Sequence, residues 1–280
     1  MINQSNPLSQ YFRQPAIHVR LPSQGEFYPP NTLTLPPNGE LPVLPMTAVD
    51  EITYRTPDAL FNGSAVVSVI QSCVPAVRDP WSVPSIDIDA LLIAIRIASF
   101  GHGLDLTTEC PNCTHKEEIT VDLRAVNDRL QLGNYHESLH LGDLEVFFRP
   151  LSYREVNENS QLQFEQQQGL RMLADPTIDE KTKAEQLTKS MAAINNLTVR
   201  TIAQSIAAVQ TPNAVVTEFE HIQEFLNNCD RAVFNQLRDH AIELRQHSEI
   251  QPINITCNNC GHQYQQPFTL DMSSFFADAS

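Results

Sequence analysis

The chain has 280 residues, 41 % hydrophobic and 18 % charged, and its 18 Lys and Arg stand against 33 Asp and Glu for a formal net charge of −15. That apolar content excludes a disordered chain, and the scarce, scattered basic residues exclude a broad phosphate-binding surface, which needs clustered Lys and Arg to displace counterions. The longest apolar stretch, Ala90 to Phe100, is interrupted by Arg96 and falls short of the roughly 20 residues that span a bilayer.

Met1 to Pro15 is polar and lacks the apolar core of a signal peptide, so a protein made and kept in a cytoplasm is expected. Residues 1–45 read as an extended arm, because nine prolines between Pro7 and Pro45 are too dense for a helix. Ala16 to Leu21 alternates and predicts a strand. Asn38-Gly39 between Thr32–Pro36 and Leu41–Leu44 predicts a short hairpin. Such an arm needs a surface to lie on, its own body or a partner.

Residues 46–103 form a helical N-terminal part. Thr56-Pro57 reads as a helix start, Asn62-Gly63 as its break, and Val66 to Cys73 as a buried helix ending before Pro75. A further helix runs from about Asp87 to Ser99 on Leu91, Leu92, Ile95 and Ile97, with Gly101 as its C-terminal cap. Asp87 and Asp89 resemble a catalytic carboxylate pair, but they sit where a helix start attracts negative charge, and capping is the preferred reading.

Residues 104–150 then read as strands: Leu104–Thr108, Glu117–Leu123, and a hairpin of Leu139–Leu141 with Leu144–Arg149 turning at Gly142-Asp143. Residues 151–249 turn helical. Ser152 with Glu155 matches a capping box, a long helix runs from about Asp179 to Val209 on Leu187, Met191, Ile194, Leu197 and Ile202, Thr217 with Glu220 matches a second capping box, and Asp230 caps the last helix. Residues 250–276 return to strand.

Four of the six cysteines form two CxxC pairs, Cys110/Cys113 and Cys257/Cys260, and each pair sits between strand-like segments. In a reducing compartment this pattern favours metal or redox chemistry over a disulfide framework. A CxxC turn offers two thiolates to one side of an ion, and two such knuckles complete the tetrahedral four-thiolate shell that zinc prefers. The expectation is therefore one structural Zn2+ per chain, held by Cys110, Cys113, Cys257 and Cys260. This predicts a helix-rich α+β fold with a discontinuous zinc ribbon, whose halves at 104–150 and 250–276 flank the helical insertion 151–249. Loop closure costs grow only logarithmically with loop length, so the separation is tolerable. Four thiolates leave no open position for water, which argues against a catalytic zinc.

A thiol oxidoreductase would need a reactive Cys at a helix N-terminus, and both pairs here read as strand-flanked. A zinc-ribbon nucleic-acid adaptor would need a basic stripe, yet only Lys116 and Arg124 lie near the knuckles. His115 and His262 follow the knuckles and read as solvent-facing, as do His240 and His247 on their helix. Cys73 and Cys229 read as inert packing residues. The chain has no phosphate-binding glycine loop, no GxSxG and no HExxH, so a non-enzymatic protein is expected.

Several stretches together carry a resemblance: Gly25-Glu-Phe-Tyr-Pro29, Pro45-Met-Thr-Ala-Val-Asp-Glu51, Thr56 to Ser64, Asp87 to Arg96, the two knuckles and Phe275-Phe276. In this order they resemble the T4-type baseplate protein family of contractile-tailed bacteriophages, whose T4 member is a baseplate hub protein. The resemblance runs from about Gly25 to Phe276 and leaves out the loop at Asp175 to Lys183. It implies a non-enzymatic hub component or hub assembly factor. Its partners would be other hub or tail proteins, the tape-measure protein among them, and a homo-oligomer is compatible with it. Its place would be the host cytoplasm during assembly or the virion tail. Phe275 and Phe276 would either cover a hydrophobic seam on a partner or fold back on the ribbon, and fold-back is the preferred reading.

Overall fold

The computed structural model describes residues 6–56, 61–172, 179–268, 270 and 275–276. Among them the chain is mixed α+β. It runs β1 (Ile17–Arg20), β2 (Glu40–Val43), α1 (Ala48–Tyr54), α2 (Ser64–Cys73), α3 (Ser85–Phe100), β3 (Gly103–Glu109), β4 (Lys116–Asp122) and α4 (Leu123–Asn127). There follow β5 (Leu139–Leu141), β6 (Leu144–Phe148), α5 (Tyr153–Met172), α6 (Glu180–Ser205), β7 (Ile206–Gln210), β8 (Val215–Val216), α7 (Phe219–Asn228), α8 (Arg231–Ser248), β9 (Ile253–Thr256) and β10 (Gln263–Gln266). Two compact units result: Met1–Pro80, Asp87–Leu130 and Ile250–Ser280 make one, and Trp81–Ile86 with Gln131–Glu249 the other.

The first unit owes its core to α2 and α3. Val66, Val69, Ile70 and Cys73 of α2, and Leu91, Leu92, Ile93 and Ile95 of α3, are fully buried. Gly63, at φ +76°, opens α2, and Gly101, at φ +89°, closes α3; both lie in the left-handed region that favours glycine. The arm does not form the expected hairpin. Gly39 turns the chain, its N–H donating to the Pro36 carbonyl (2.9 Å), but β2 pairs antiparallel with β1, Val19 opposite Leu41. Thr32 to Pro36 runs instead against the loop after α2, where Leu33 bridges Val77 and the Thr34 N–H donates to Ala76 (2.9 Å). The prolines at 36 and 37 lack the N–H donors that a hairpin strand would need.

Helix α1 escaped the sequence reading. Its signal is a short capping box in which Thr47 accepts from the Asp50 N–H (3.2 Å) and Asp50 accepts from the Thr47 N–H (2.7 Å). The expected helix start at Thr56-Pro57 falls largely on residues outside those described.

Two polar anchors, one half-buried at Arg13 and one buried at Asp87, lay the proline-rich arm on its own body. The Arg13 guanidinium donates to Asp50 (3.1 Å), to the Pro45 carbonyl (2.5 Å), and to the Ser72 carbonyl (2.8 Å) and hydroxyl (2.7 Å). Ten residues on, Ser23 donates its N–H (3.0 Å) and its hydroxyl to Asp87, and Tyr28 adds its own hydroxyl (2.9 Å). Asp87 is fully buried. It stands in the first turn of α3, yet its carboxylate ties the arm rather than capping the helix. At the other end of the chain, Arg96 donates to the Phe275 carbonyl (2.6 Å), and Phe276 meets Tyr54 edge-on at 4.6 Å. Both Phe275 and Phe276 are buried, so the chain end folds back, but onto Tyr54 of α1 and Arg96 and Phe100 of α3 rather than onto the ribbon.

In the second unit β5, β6, β7 and β8 form one antiparallel sheet in that order. The hairpin 139–148 therefore pairs with β7 and not with the strands around the knuckles. The long helix expected to reach Val209 stops at Ser205. The β-branched Ile206 and Val209 are buried, and the segment pairs with β6, Val146 opposite Val209; sheet pairing overrides the helical period here. The Ser152–Glu155 capping box forms as expected (2.8 and 3.3 Å), and Asp230 caps α8. Thr217 does not cap α7; Glu218 occupies that position, with no side-chain cap bond. Of the residues expected to anchor α6, Ile202 is buried, whereas Leu187, Met191 and Ile194 are exposed.

Burial pushes the Asp87 pKa from near 3.8 up to about 6, against the hydrogen bonds from Ser23 and Tyr28 that favour its anion. A carboxyl with a raised folded-state pKa contributes stability that is fully present below its unfolded value and is lost as pH rises through the folded one. Asp87→Asn is uncharged at every pH. The stability advantage of wild type over this variant, measured by urea denaturation from about pH 4 to about pH 7, is therefore expected to shrink as pH rises through about 6. An advantage that grows with pH would contradict this.

Candidate metal centre

The two CxxC pairs occupy equivalent turns. Cys110 and Cys113 lie between β3 and β4, which pair in full antiparallel register from Gly103 opposite Asp122 to Glu109 opposite Lys116. Cys257 and Cys260 lie between β9 and β10, paired from Ile253 opposite Gln266 to Thr256 opposite Gln263. In the first knuckle the Cys110 N–H donates to the His115 carbonyl (2.9 Å) and the Thr114 N–H to the Cys110 carbonyl (2.8 Å). In the second, the Cys257 N–H donates to the His262 carbonyl (2.9 Å) and the Gly261 N–H to the Cys257 carbonyl (2.9 Å). The residue after each second cysteine takes positive φ: Thr114 at +55° and Gly261 at +69°.

The fold brings the four expected ligands together. All four Sγ atoms lie within 4.8 Å of one another, and among the described residues they are the one cluster of at least three ligand-type side chains with this spacing. The short approaches run between knuckles: Cys110 to Cys260 and Cys113 to Cys257, each 3.7 Å. A tetrahedron with metal–sulfur distances of about 2.3 Å has edges of about 3.8 Å. The donor set and its spacing thus fit a four-thiolate metal. Cys110 and Cys257 are buried, Cys113 is half-buried and Cys260 is exposed.

Local donors favour the thiolates. The His115 N–H and the Asn259 side chain lower the Cys113 pKa. The His262 N–H and the Asn112 side chain bring that of Cys260 down to about 6. The Cys260 and Asn259 N–H groups favour the Cys257 thiolate as well, but burial and the sulfurs of Cys113 and Cys260 push Cys257 up to about 11. Sulfurs this close cannot all ionise without a cation between them. The arrangement can therefore hold a metal ion.

Two further bonds join the hairpins. Asn258 donates to Glu117 (2.6 Å), and Tyr264 reaches the Thr108 hydroxyl (3.2 Å). His115 and His262 are exposed; they contribute backbone carbonyls to the knuckles, and their rings are not in the ligand cluster. Lys116 pairs with Glu109 (3.5 Å) and Arg124 with Asp122 (2.7 Å), so both cations near the knuckles face carboxylates. Neither CxxC opens a helix. Cys73 is buried, and burial raises its pKa to about 11; it and Cys229 stay outside the cluster. Asn112 and Asn259 also face the sulfurs of the opposite knuckle. The sequence signal for them is a shared position, one residue before the second cysteine of each knuckle.

Thr114 and Gly261 fill the same left-handed position, and only one of them is suited to it. A β-branched residue at positive φ is strained by roughly 1–2 kcal/mol. Thr114→Gly is expected to stabilise the protein by about 1 kcal/mol, read as a higher thermal midpoint. A lower midpoint would contradict the matched geometry of the two knuckles.

A family model described as T4 bacteriophage base plate protein matches residues 34–277. The matched region takes in both knuckles, most of the first unit and all of the second, and begins after Gly25 to Pro29, which belong to the resemblance read from the sequence. No curated protein and no solved structure matches the chain. With most of its 280 residues matched, the chain belongs to the T4 bacteriophage base plate protein family.

Proposed function

We propose that this protein is a component of the phage baseplate hub, or a factor that assembles it, acting through protein contacts and without enzymatic activity. Family membership points to a structural part in a phage baseplate, with other baseplate or tail proteins as partners and the virion tail as its place. The match over residues 34–277 is the observation that carries the reading. Among the described residues no helix is long and apolar enough to cross a membrane.

The hub placement deepens that reading. Such a protein would hold hub subunits, or the end of the tape-measure protein, in register while the tail is built. Quantitative mass spectrometry of purified particles against infected-cell lysate tests it. A low, fixed copy number per particle is expected of a hub subunit. Enrichment on unassembled hub intermediates, without retention in particles, is expected of an assembly factor. Absence from both would overturn the hub reading.

The metal reading is a single structural Zn2+ held by Cys110, Cys113, Cys257 and Cys260, which makes the two hairpins the halves of a zinc ribbon. Its support is the convergence of four thiols within 4.8 Å. When bound, the ion supplies a positive centre that lets all four sulfurs ionise together. The chain's own part is to aim the sulfurs by the knuckle hydrogen bonds and to keep Cys110 and Cys257 out of water. One zinc per chain is expected by elemental analysis. Cys257→Ser is expected to lose the ion and several kcal/mol of stability, since a structural zinc contributes on the order of 10 kcal/mol to folding. Metal-free protein that folds with unchanged stability would contradict the zinc reading.

A further inference from the structure

The asparagine before each second cysteine reaches across to the other knuckle. Asn112 Nδ2 donates to Cys260 Sγ at 3.7 Å, and Asn259 Nδ2 donates to Cys113 Sγ at 3.6 Å. The two contacts are reciprocal, because both asparagines precede the second cysteine of their own knuckle and both address the second cysteine of the opposite one. Their targets are the two less buried sulfurs. Cys110 and Cys257 are covered by the protein, whereas Cys113 is half-buried and Cys260 exposed.

We propose that Asn112 and Asn259 form a crossed lock over the metal centre, in which each side-chain amide holds the less buried thiolate of the opposite knuckle and shields it from competing ligands and electrophiles. The inference rests on the zinc reading above. Three physical points support it. A four-thiolate zinc centre carries a net charge of −2, so its outer sulfurs attract any donor within reach, and an amide N–H to a charged acceptor is among the stronger neutral-donor hydrogen bonds. A thiolate only accepts, which fixes the amide with Nδ2 toward sulfur. And because each amide belongs to one hairpin and its sulfur to the other, the lock closes only when both knuckles, 144 residues or more apart in the chain, have met. The neighbouring Asn258 supplies a built-in comparison. It also joins the two hairpins, through Glu117 at 2.6 Å, but it touches no sulfur.

The test uses the intact zinc-loaded protein with Asn112→Ala, Asn259→Ala, the double variant, the near-isosteric Asn112→Asp, and Asn258→Ala. Zinc release to pyridylazoresorcinol is followed by absorbance, and limited N-ethylmaleimide labelling is mapped by peptide mass spectrometry. Loss of an outer hydrogen-bonding partner of a metal ligand typically costs 10–100-fold in affinity. Release from each single alanine variant is therefore expected to be about tenfold faster than from wild type. Labelling is expected to rise crosswise, at Cys260 in Asn112→Ala and at Cys113 in Asn259→Ala. Asn112→Asp keeps the size but loses the donor, and is expected to release zinc at least as fast as Asn112→Ala. Asn258→Ala is expected to behave as wild type in both assays.

Wild-type release by the double variant or by Asn112→Asp would overturn the lock. So would labelling that rises at the cysteine next to the substituted asparagine, or an Asn258→Ala effect as large as the others. Wild-type protein with one zinc per chain and any of those results removes the lock alone. Wild-type protein without zinc removes the zinc reading and the lock with it.

Discussion

The meeting of the two CxxC hairpins depends on four sulfurs brought together from distant parts of the chain. The hairpins β3–β4 and β9–β10 are each two-stranded sheets, and a lone two-stranded hairpin is marginal in water. Their strands bury few side chains, chiefly Leu104, Thr108, Val121 and Ile255. What joins them is the thiol cluster, the asparagine contacts on its outer sulfurs, and the pairs Asn258–Glu117 and Tyr264–Thr108. A cation at the centre would turn mutual repulsion of the thiolates into the strongest tie between the hairpins. Between the knuckles the chain builds a second compact unit, Gln131 to Glu249, so closure of the first unit brackets the formation of another. The logarithmic cost of a long loop leaves such an insertion affordable to a bound metal.

The rest of the first unit follows a similar logic of few, strong, long-range ties. A segment dense in proline has little regular hydrogen bonding of its own, so it must be held by side chains. Arg13 holds it on α1 and α2, and Asp87 holds it on α3 through Ser23 and Tyr28. The opposite end of the chain returns to Arg96 and Tyr54. These anchors are polar or aromatic and most span fifty residues or more of sequence. They fix the ends on the α2–α3 core where a longer sheet or helix would otherwise be needed.

Much of this was legible in the sequence. The CxxC spacing, the strand patterns around it, the buried helices at 64–73 and 85–100, and the Ser152 and Asp230 caps each express local chemistry, and local chemistry is what a sequence displays. The failures have a common cause in tertiary pairing. Ile206 to Val209 continues a helical period but is captured by β6. Leu41 to Val43 looks like the second half of a local hairpin but pairs with β1. Leu187, Met191 and Ile194 have the spacing of a buried stripe and are exposed, because core and surface apolar stripes share one period. Asp87 was read as a cap because its position suits one; its real partners lie some sixty residues away. The crossed asparagines were invisible as a pair until the knuckles were brought face to face.

Membership in a phage baseplate family and four converging thiols support the proposal of a protein whose metal serves shape and whose surface serves partners. That account stands on the identity and coordination of the ion. X-ray absorption at the zinc edge on the purified protein tests it most directly. The account predicts a first shell of four sulfur atoms at about 2.3 Å with no nitrogen or oxygen neighbour. A mixed shell with histidine or water ligands, or protein that carries no zinc, would contradict it.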